Sequence, residues 1–202
     1  MDKRIYLCLA HMSGKEMGFI QEAFDTNWVV PLGPNVSGFE QDLEAFVGEN
    51  KHVVALSAGT AAVHLALVAC GVGQGDEVMV QSFTFCASSH PMTYLGATPV
   101  FVDSEGDTWN MDPAALEKAF ELYPEVKVVV VAHLYGTPGK VEELKAICDR
   151  HGAVIVEDAA ESLGATYKGA QTGTFGTFNA ISFNGNKIIT GSSGGMFLTD
   201  DE

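Results

Sequence analysis

Apolar positions along the chain follow two rhythms that alternate from end to end. Met17, Ile20, Ala23 and Phe24 share one face of a helix, and Phe39, Leu43 and Phe46 do so again after the turn Pro31-Leu32-Gly33-Pro34. The run His52-Val53-Val54-Ala55-Leu56 predicts a strand, 60–70 a nearly all-apolar helix, and Glu77-Val78-Met79-Val80 the next strand. The series continues with a helix over 87–94, a strand at Pro99-Val100-Phe101-Val102, a helix over 112–120 and a strong strand over 126–131. Val141, Leu144, Ile147 and Cys148 mark another helix, Ala153-Val154-Ile155-Val156 another buried strand, and shorter strands follow over 179–183 and 195–198. Strands apolar on both faces that alternate with helices predict an α/β fold. The expected form is a three-layer αβα sandwich around a largely parallel sheet, in one domain.

With 47% hydrophobic side chains in 202 residues, there is enough apolar material for one sizeable core. The 26 acidic against 11 basic residues give a formal charge of -15, which argues against nucleic acid and anionic membrane surfaces as partners. A single phosphate remains open, because a few local amides can hold one within a net-negative protein. The apolar stretch near the start is too short for a signal-peptide core, and no run reaches the length of a membrane span. Cys8, Cys70, Cys86 and Cys148 lack the spacing of metal or redox sites, and are read as reduced, mostly buried thiols of a cytoplasmic protein.

In open α/β sheets, ligands bind outside the carboxyl ends of the strands. After the strand ending at Leu56, Ser57-Ala58-Gly59-Thr60-Ala61-Ala62 is a small-residue turn that lets backbone amides approach an anion, with the Thr60 hydroxyl as a further donor. Small residues there also serve plain helix–strand packing, and the segment is neither a P-loop nor a dinucleotide fingerprint. The strand over 153–156 delivers Glu157-Asp158-Ala159-Ala160-Glu161 to the same edge. A carboxylate so placed needs a cation or a donor, so Asp158 either pairs with a protonated ring nitrogen or caps the following turn.

Lys187 lies in the small polar turn Asn184-Gly185-Asn186-Lys187, where an amine is partly desolvated and can act as a nucleophile, although a lysine viewed singly faces solvent. Ser182 offers another hydroxyl to a phosphate. Phe85, within Ser82-Phe83-Thr84-Phe85-Cys86-Ala87, either lies flat on a planar heterocycle or fills the core. Gly71-Val72-Gly73-Gln74-Gly75 follows a helix and precedes a strand, so it reads as a helix stop. The six histidines lack zinc spacing. His64 is read as packing within its helix, and Glu142 and Glu143 as a solvated face.

Six segments, in order, resemble the DegT-type (DegT/DnrJ/StrS) sugar aminotransferases. They are Pro31-Leu32-Gly33 with Phe39-Glu40, Ser57-Ala58-Gly59-Thr60-Ala61-Ala62, Ser82-Phe83-Thr84-Phe85, His133-Leu134-Tyr135-Gly136, Glu157-Asp158-Ala159-Ala160-Glu161 and Ser182-Phe183-Asn184-Gly185-Asn186-Lys187. The resemblance implies the large domain of the aspartate-aminotransferase (type I) fold and pyridoxal 5'-phosphate as cofactor. It implies Lys187 as the lysine that condenses with the cofactor aldehyde and then carries a proton, Asp158 on the pyridine nitrogen, and Phe85 against the ring. Ala58, Gly59, Thr60 and Ser182 would hold the phosphate, and Glu161 would sit near the ring oxygen, where many relatives have glutamine.

Phe183-Asn184-Gly185-Asn186-Lys187-Ile188-Ile189-Thr190, with His11-Met12-Ser13-Gly14, is most similar to enzymes that aminate C4 of a UDP-linked 4-keto-6-deoxy-N-acetylhexosamine. L-Glutamate is the implied nitrogen donor, amino sugar and surface glycan biosynthesis the implied setting, and a homodimer the implied full-length assembly. Such relatives are about twice this length, so residues 1–202 are expected to be a cofactor-binding large domain, incomplete at its C-terminal end and without the small C-terminal domain. Two other readings are a sugar dehydratase of the same family, whose members carry histidine where this chain has Lys187, and a non-catalytic fragment. A nicotinamide oxidoreductase is disfavoured by the missing glycine fingerprint.

Overall fold

The computed structural model describes residues 4–6, 9–48 and 51–201. Two helices open the chain, α1 (Glu16–Asp25) and α2 (Pro34–Val47). The alternating series then runs β1 (His52–Leu56), α3 (Gly59–Ala69), β2 (Glu77–Gln81), α4 (His90–Tyr94), β3 (Thr98–Val102), α5 (Pro113–Leu122), β4 (Val128–Ala132), α6 (Val141–His151) and β5 (Val154–Asp158). A two-residue hairpin, β6 (Thr166–Tyr167) with β7 (Ala170–Gln171), precedes β8 (Phe178–Ser182) and β9 (Gly195–Thr199).

Seven strands form one sheet in the order β1-β9-β8-β5-β4-β2-β3. The pairs from β8 to β3 are all parallel, while β9 is antiparallel to both β8 and β1, so six strands point one way and β9 alone points back. The largely parallel sheet expected from the patterning is therefore present. All five residues of β4 are buried, as a central strand covered on both faces requires. Side chains alternate between two layers. Val78 and Val80 pack with α3 residues Val63 and Leu67 and with Met92 of α4, whereas Met79 packs with Leu116 and Phe120 of α5 and Leu144 of α6. On the α5/α6 side, Leu43 and Val47 of α2 cover Val53, Ile181, Met196 and Leu198. The edge strand β1 does not leave its amides bare, because Glu44 and Glu40 of α2 accept from Val53 and Ala55 at 3.2 and 2.9 Å.

Local chemistry sets the element ends. Asp112 caps α5 by accepting from the Ala114 amide at 2.9 Å, with Pro113 following it. Gly152 takes a left-handed φ of 64° where α6 stops.

Several expectations need correction. α1 forms where its pattern predicts, yet buries none of its residues, and Met17, Ile20 and Phe24 face outward. In α2 the buried pair is Leu43 and Val47, one turn apart, and Phe46 is exposed. The helix expected over 87–94 splits at Ser89 into a 3₁₀ turn, Cys86–Ser88, and α4. β4 starts at Val128, and β5 runs on through Glu157 and Asp158. The thiols are not mostly buried: Cys148 is, Cys70 is half-buried and Cys86 is exposed, while Cys8 lies outside the described residues. Among the described residues, no helix is long and apolar enough to cross a membrane, and no group of acidic, histidine or cysteine side chains could hold a metal.

Candidate active site

Strand order reverses between β4 and β2, since β3 continues outward on one side and β5 and β8 on the other. A cleft opens at the carboxyl ends of these strands, where such a switch point spreads the following loops apart. Its wall comes from four of those ends and from the start of α3. Ala58, Gly59, Thr60, Phe85, Asp158, Glu161, Ser182 and Lys187 all line it, so the eight residues singled out from sequence converge on one site.

The α3 end of the cleft is built for close backbone approach. Ala58 is extended at φ -164° and ψ 157°, and the helix begins at Gly59 with its first amides unpaired within the helix. A Cβ on Gly59 would lie 2.6 Å from Ser182 Cβ, so the Ser182 hydroxyl can approach the helix start only because residue 59 has no side chain. Gly195 is under the same constraint, since a Cβ there would collide with the Ala58 carbonyl group. Gly194 donates its amide to the Ser57 carbonyl at 2.9 Å and Ser193 its hydroxyl at 2.7 Å, closing the turn against β9.

Asp158 lies deep in the cleft. Its Oδ2 accepts from Ser88 Oγ at 2.7 Å and its Oδ1 from the Ala160 amide at 3.1 Å. The capping role considered from sequence is therefore real, and it leaves carboxylate lone pairs free for a further partner. Burial pushes its pKa above the ordinary value, against the opposing pull of Ser88, the Ala160 amide and the charge of Lys187.

Lys187 sits on a loop closed at its neck by Gly191 N donating to Phe183 O at 3.0 Å and Thr190 Oγ1 donating to the same oxygen at 3.2 Å. Its side chain is only 9% exposed, and Nζ lies 3.4 Å from Glu161 Oε1 and 5.8 Å from the centre of the Phe85 ring. The solvent-facing reading of Lys187 is thereby removed. Glu161 also accepts the Tyr135 amide at 2.9 Å, bridging the β4 loop to the lysine loop. Phe85 is 60% exposed on the cleft wall, so it is not a core residue.

Sequence reasoning missed Ser88, His133, Asn184 and Asn186 as cleft residues. Ser88 fell inside a segment read as helix, and nothing in one sequence aims a serine at a carboxylate 70 residues away. His133 carried a signal, a polar residue directly after five buried apolar ones. Its Nε2 pairs with Glu157 Oε1 at 2.9 Å and its Nδ1 accepts the Gly139 amide at 3.2 Å, which fixes Nε2 as the protonated nitrogen.

The mostly parallel seven-stranded sheet with its covering helices is the α/β architecture of the type I aminotransferase fold. The chain belongs to the DegT/DnrJ/EryC1/StrS aminotransferase family, whose model matches residues 11–202. It is 52% identical, over its whole length, to a Bacillus subtilis (strain 168) protein named "Putative pyridoxal phosphate-dependent aminotransferase EpsN", of which it covers 53%. It is 42% identical over 98% of its length to the GDP-perosamine synthase of Caulobacter vibrioides, again covering 53% of the relative. Among solved structures, an aminotransferase from Psychrobacter cryohalolentis superposes with a TM-score of 0.86 at 35% identity, over 95% of this chain and 48% of that one. The chain thus spans about half the length of the relatives it matches.

Proposed function

We propose that this chain is the cofactor-binding large domain of a pyridoxal-phosphate aminotransferase acting on a nucleotide-linked keto sugar, with L-glutamate as nitrogen donor. The observation that carries this reading is the presence of a nearly buried amine, Lys187, and a buried carboxylate, Asp158, in one cleft beside the unpaired first amides of α3. The residues fit the cofactor. Asp158 is a buried carboxyl group to which no cation among the described residues is directly bonded, and a protonated pyridine nitrogen would supply one. The start of α3 at Gly59, with its first amides unpaired within the helix, and the residues Thr60 and Ser182 beside it on the cleft wall are suited to a phosphate.

When bound, pyridoxal phosphate supplies an aldehyde that takes up amines and a protonated ring that withdraws electrons from the reacting carbon. The protein's own groups bind, orient and move protons. The α3 amides, Thr60 and Ser182 would hold the phosphate, Phe85 would lie against the ring, and Asp158 would keep the ring nitrogen protonated. Lys187 is the only lysine or arginine among the described residues lining the cleft, so it would be the amine that takes up the aldehyde and the group that carries a proton beside the reacting carbon. Glu161 accepts from Lys187 Nζ at 3.4 Å and would lie near the ring oxygen.

For the substrate we propose a 4-keto-6-deoxy sugar aminated at C4. The lysine-loop motif favours the UDP-linked N-acetylhexosamine, whereas relatives named GDP-perosamine synthase favour a GDP-linked sugar, so both belong in the assay. A structural neighbour is a GDP-4-keto-6-deoxymannose-3-dehydratase, at a TM-score of 0.89 and 27% identity. Lys187, in place of the histidine of such dehydratases, favours amination. The full-length protein in this reading is a cytoplasmic homodimer serving amino sugar biosynthesis.

Borohydride reduction of the full-length protein with pyridoxal phosphate, followed by peptide mapping, tests the assignment. The expected label is on Lys187. A label on Lys168, or none, overturns it.

A further inference from the structure

A second pair of side chains acts on Asp158 from the far side of the cleft. Ser88 is 1% exposed, at the end of the Cys86–Ser88 turn, and its hydroxyl has one proton. That proton goes to Asp158 Oδ2 at 2.7 Å, so the 2.9 Å contact between Thr84 Oγ1 and Ser88 Oγ has Thr84 as donor. Both residues line the cleft. The result is a directed chain, Thr84 to Ser88 to Asp158, in which each bond polarises the next.

We propose that Thr84 and Ser88 are positioning residues, whose hydroxyl chain aims the Asp158 carboxylate into the cleft and holds it as an anion ready for a cationic ring nitrogen. The second half of this statement rests on the function proposed above. The first half concerns the chain's own residues. Asp158 is at the last position of β5, where backbone geometry fixes its Cα but leaves its carboxylate free to turn toward solvent at the cleft mouth. The Ala160 amide holds one oxygen and the Ser88 hydroxyl the other, which fixes the carboxylate plane. The other charged groups that act on Asp158 are Lys187 of the lysine loop and Glu161 of the turn after β5, with opposite signs. Glu157, its chain neighbour, is bonded on the opposite face of the sheet. With the two nearby charges opposed, the uncharged donors matter most for keeping this buried group ionised.

The test uses the full-length protein in two forms. In the cofactor-free form, carboxyl carbon NMR follows the titration of Asp158, with the signal assigned by its loss in Asp158→Asn. Ser88→Ala should move that titration to higher pH, Thr84→Ala should move it less in the same direction, and Ser88→Thr should restore it. In the loaded form, Ser88→Ala should weaken pyridoxal phosphate binding about tenfold, the scale of one hydrogen bond to a charged group. An unmoved titration in folded Ser88→Ala overturns the proposal whatever the cofactor does. A moved titration with unchanged cofactor affinity overturns the link to the ring nitrogen. If Ser88→Ala does not fold, Thr84→Ala carries the same two readouts. Failure of the cofactor assignment appears separately, as a misplaced or missing borohydride label.

Discussion

Glu157 and Asp158 are consecutive in β5, yet their carboxylates serve opposite faces of the sheet. Asp158 faces the cleft. Glu157, 1% exposed, accepts from His133 Nε2 at 2.9 Å and from the amides of Gly173, Phe175 and Gly176 at 2.5, 2.6 and 3.2 Å. A strand places neighbouring side chains on opposite sides, so one dipeptide supplies a cleft-facing carboxylate and the lock that holds the loop before β8.

That lock needs a carboxylate. Each oxygen of Glu157 accepts two bonds, Oε1 from His133 and Gly173 and Oε2 from Phe175 and Gly176. In Glu157→Gln, the amide nitrogen would face two donors in a buried site. We expect a loss of about 2–4 kcal/mol of stability, measured by urea denaturation. A loss within error of zero would show that water replaces the missing acceptor.

The glycine positions of the cradle separate backbone approach from ordinary turn use. Gly59→Ala places its Cβ 2.6 Å from Ser182 Cβ, an atom held by the β8 backbone, so the helix start or β8 must shift, at a cost of about 1–3 kcal/mol and with weakened phosphate affinity. Gly195→Ala collides with the backbone of Ala58, which cannot swing aside, and should be the worse of the two. Gly73→Ala, with nothing within 4 Å, is the control and should change stability by no more than about 0.5 kcal/mol. Thermal midpoints and phosphate titration of the three variants give the ranking directly.

Much of this was legible in one sequence because the parallel strands are apolar on both faces. The five buried residues of β4 and the pattern of α6 announce themselves by composition and period. Lys187 and Asp158 were legible as polar residues placed at the ends of such strands. Other features are products of the folded state. The partners of Glu157 come from segments 16 or more residues away, and β9 turns antiparallel through pairings no local pattern encodes. The helical period of α1 predicts the helix correctly but says nothing of what covers its apolar face.

The two lysines tested by borohydride differ in their surroundings as well as in their expected chemistry. Lys168 pairs with Glu142 across a surface where both side chains are 62% exposed, so Lys168→Ala should leave stability within about 0.5 kcal/mol and labelling unchanged. Lys187→Ala removes the amine from the cleft and should abolish the label, and it should lower turnover by about 10²-fold to 10⁴-fold. Equal effects of the two substitutions on labelling would contradict the site.

Asp158 predicts a conflict between function and stability that has a definite sign. Its pKa is raised in the folded protein, chiefly by burial, so the folded state holds the proton more tightly than the unfolded chain does. The stability this group contributes is complete below the ordinary carboxylate range and is lost as pH rises through the raised value. Asp158→Asn cannot suffer that loss. Without cofactor, the variant should be more stable than the parent at neutral pH, and the difference should shrink toward acid. Its turnover should fall by about 10²-fold or more, because a neutral amide cannot stabilise the protonated ring nitrogen. Urea denaturation at neutral and acidic pH measures the first effect, and glutamate-dependent turnover measures the second. A variant no more stable than the parent at neutral pH would mean that the hydrogen bonds from Ser88 and Ala160 outweigh the cost of burying the charge.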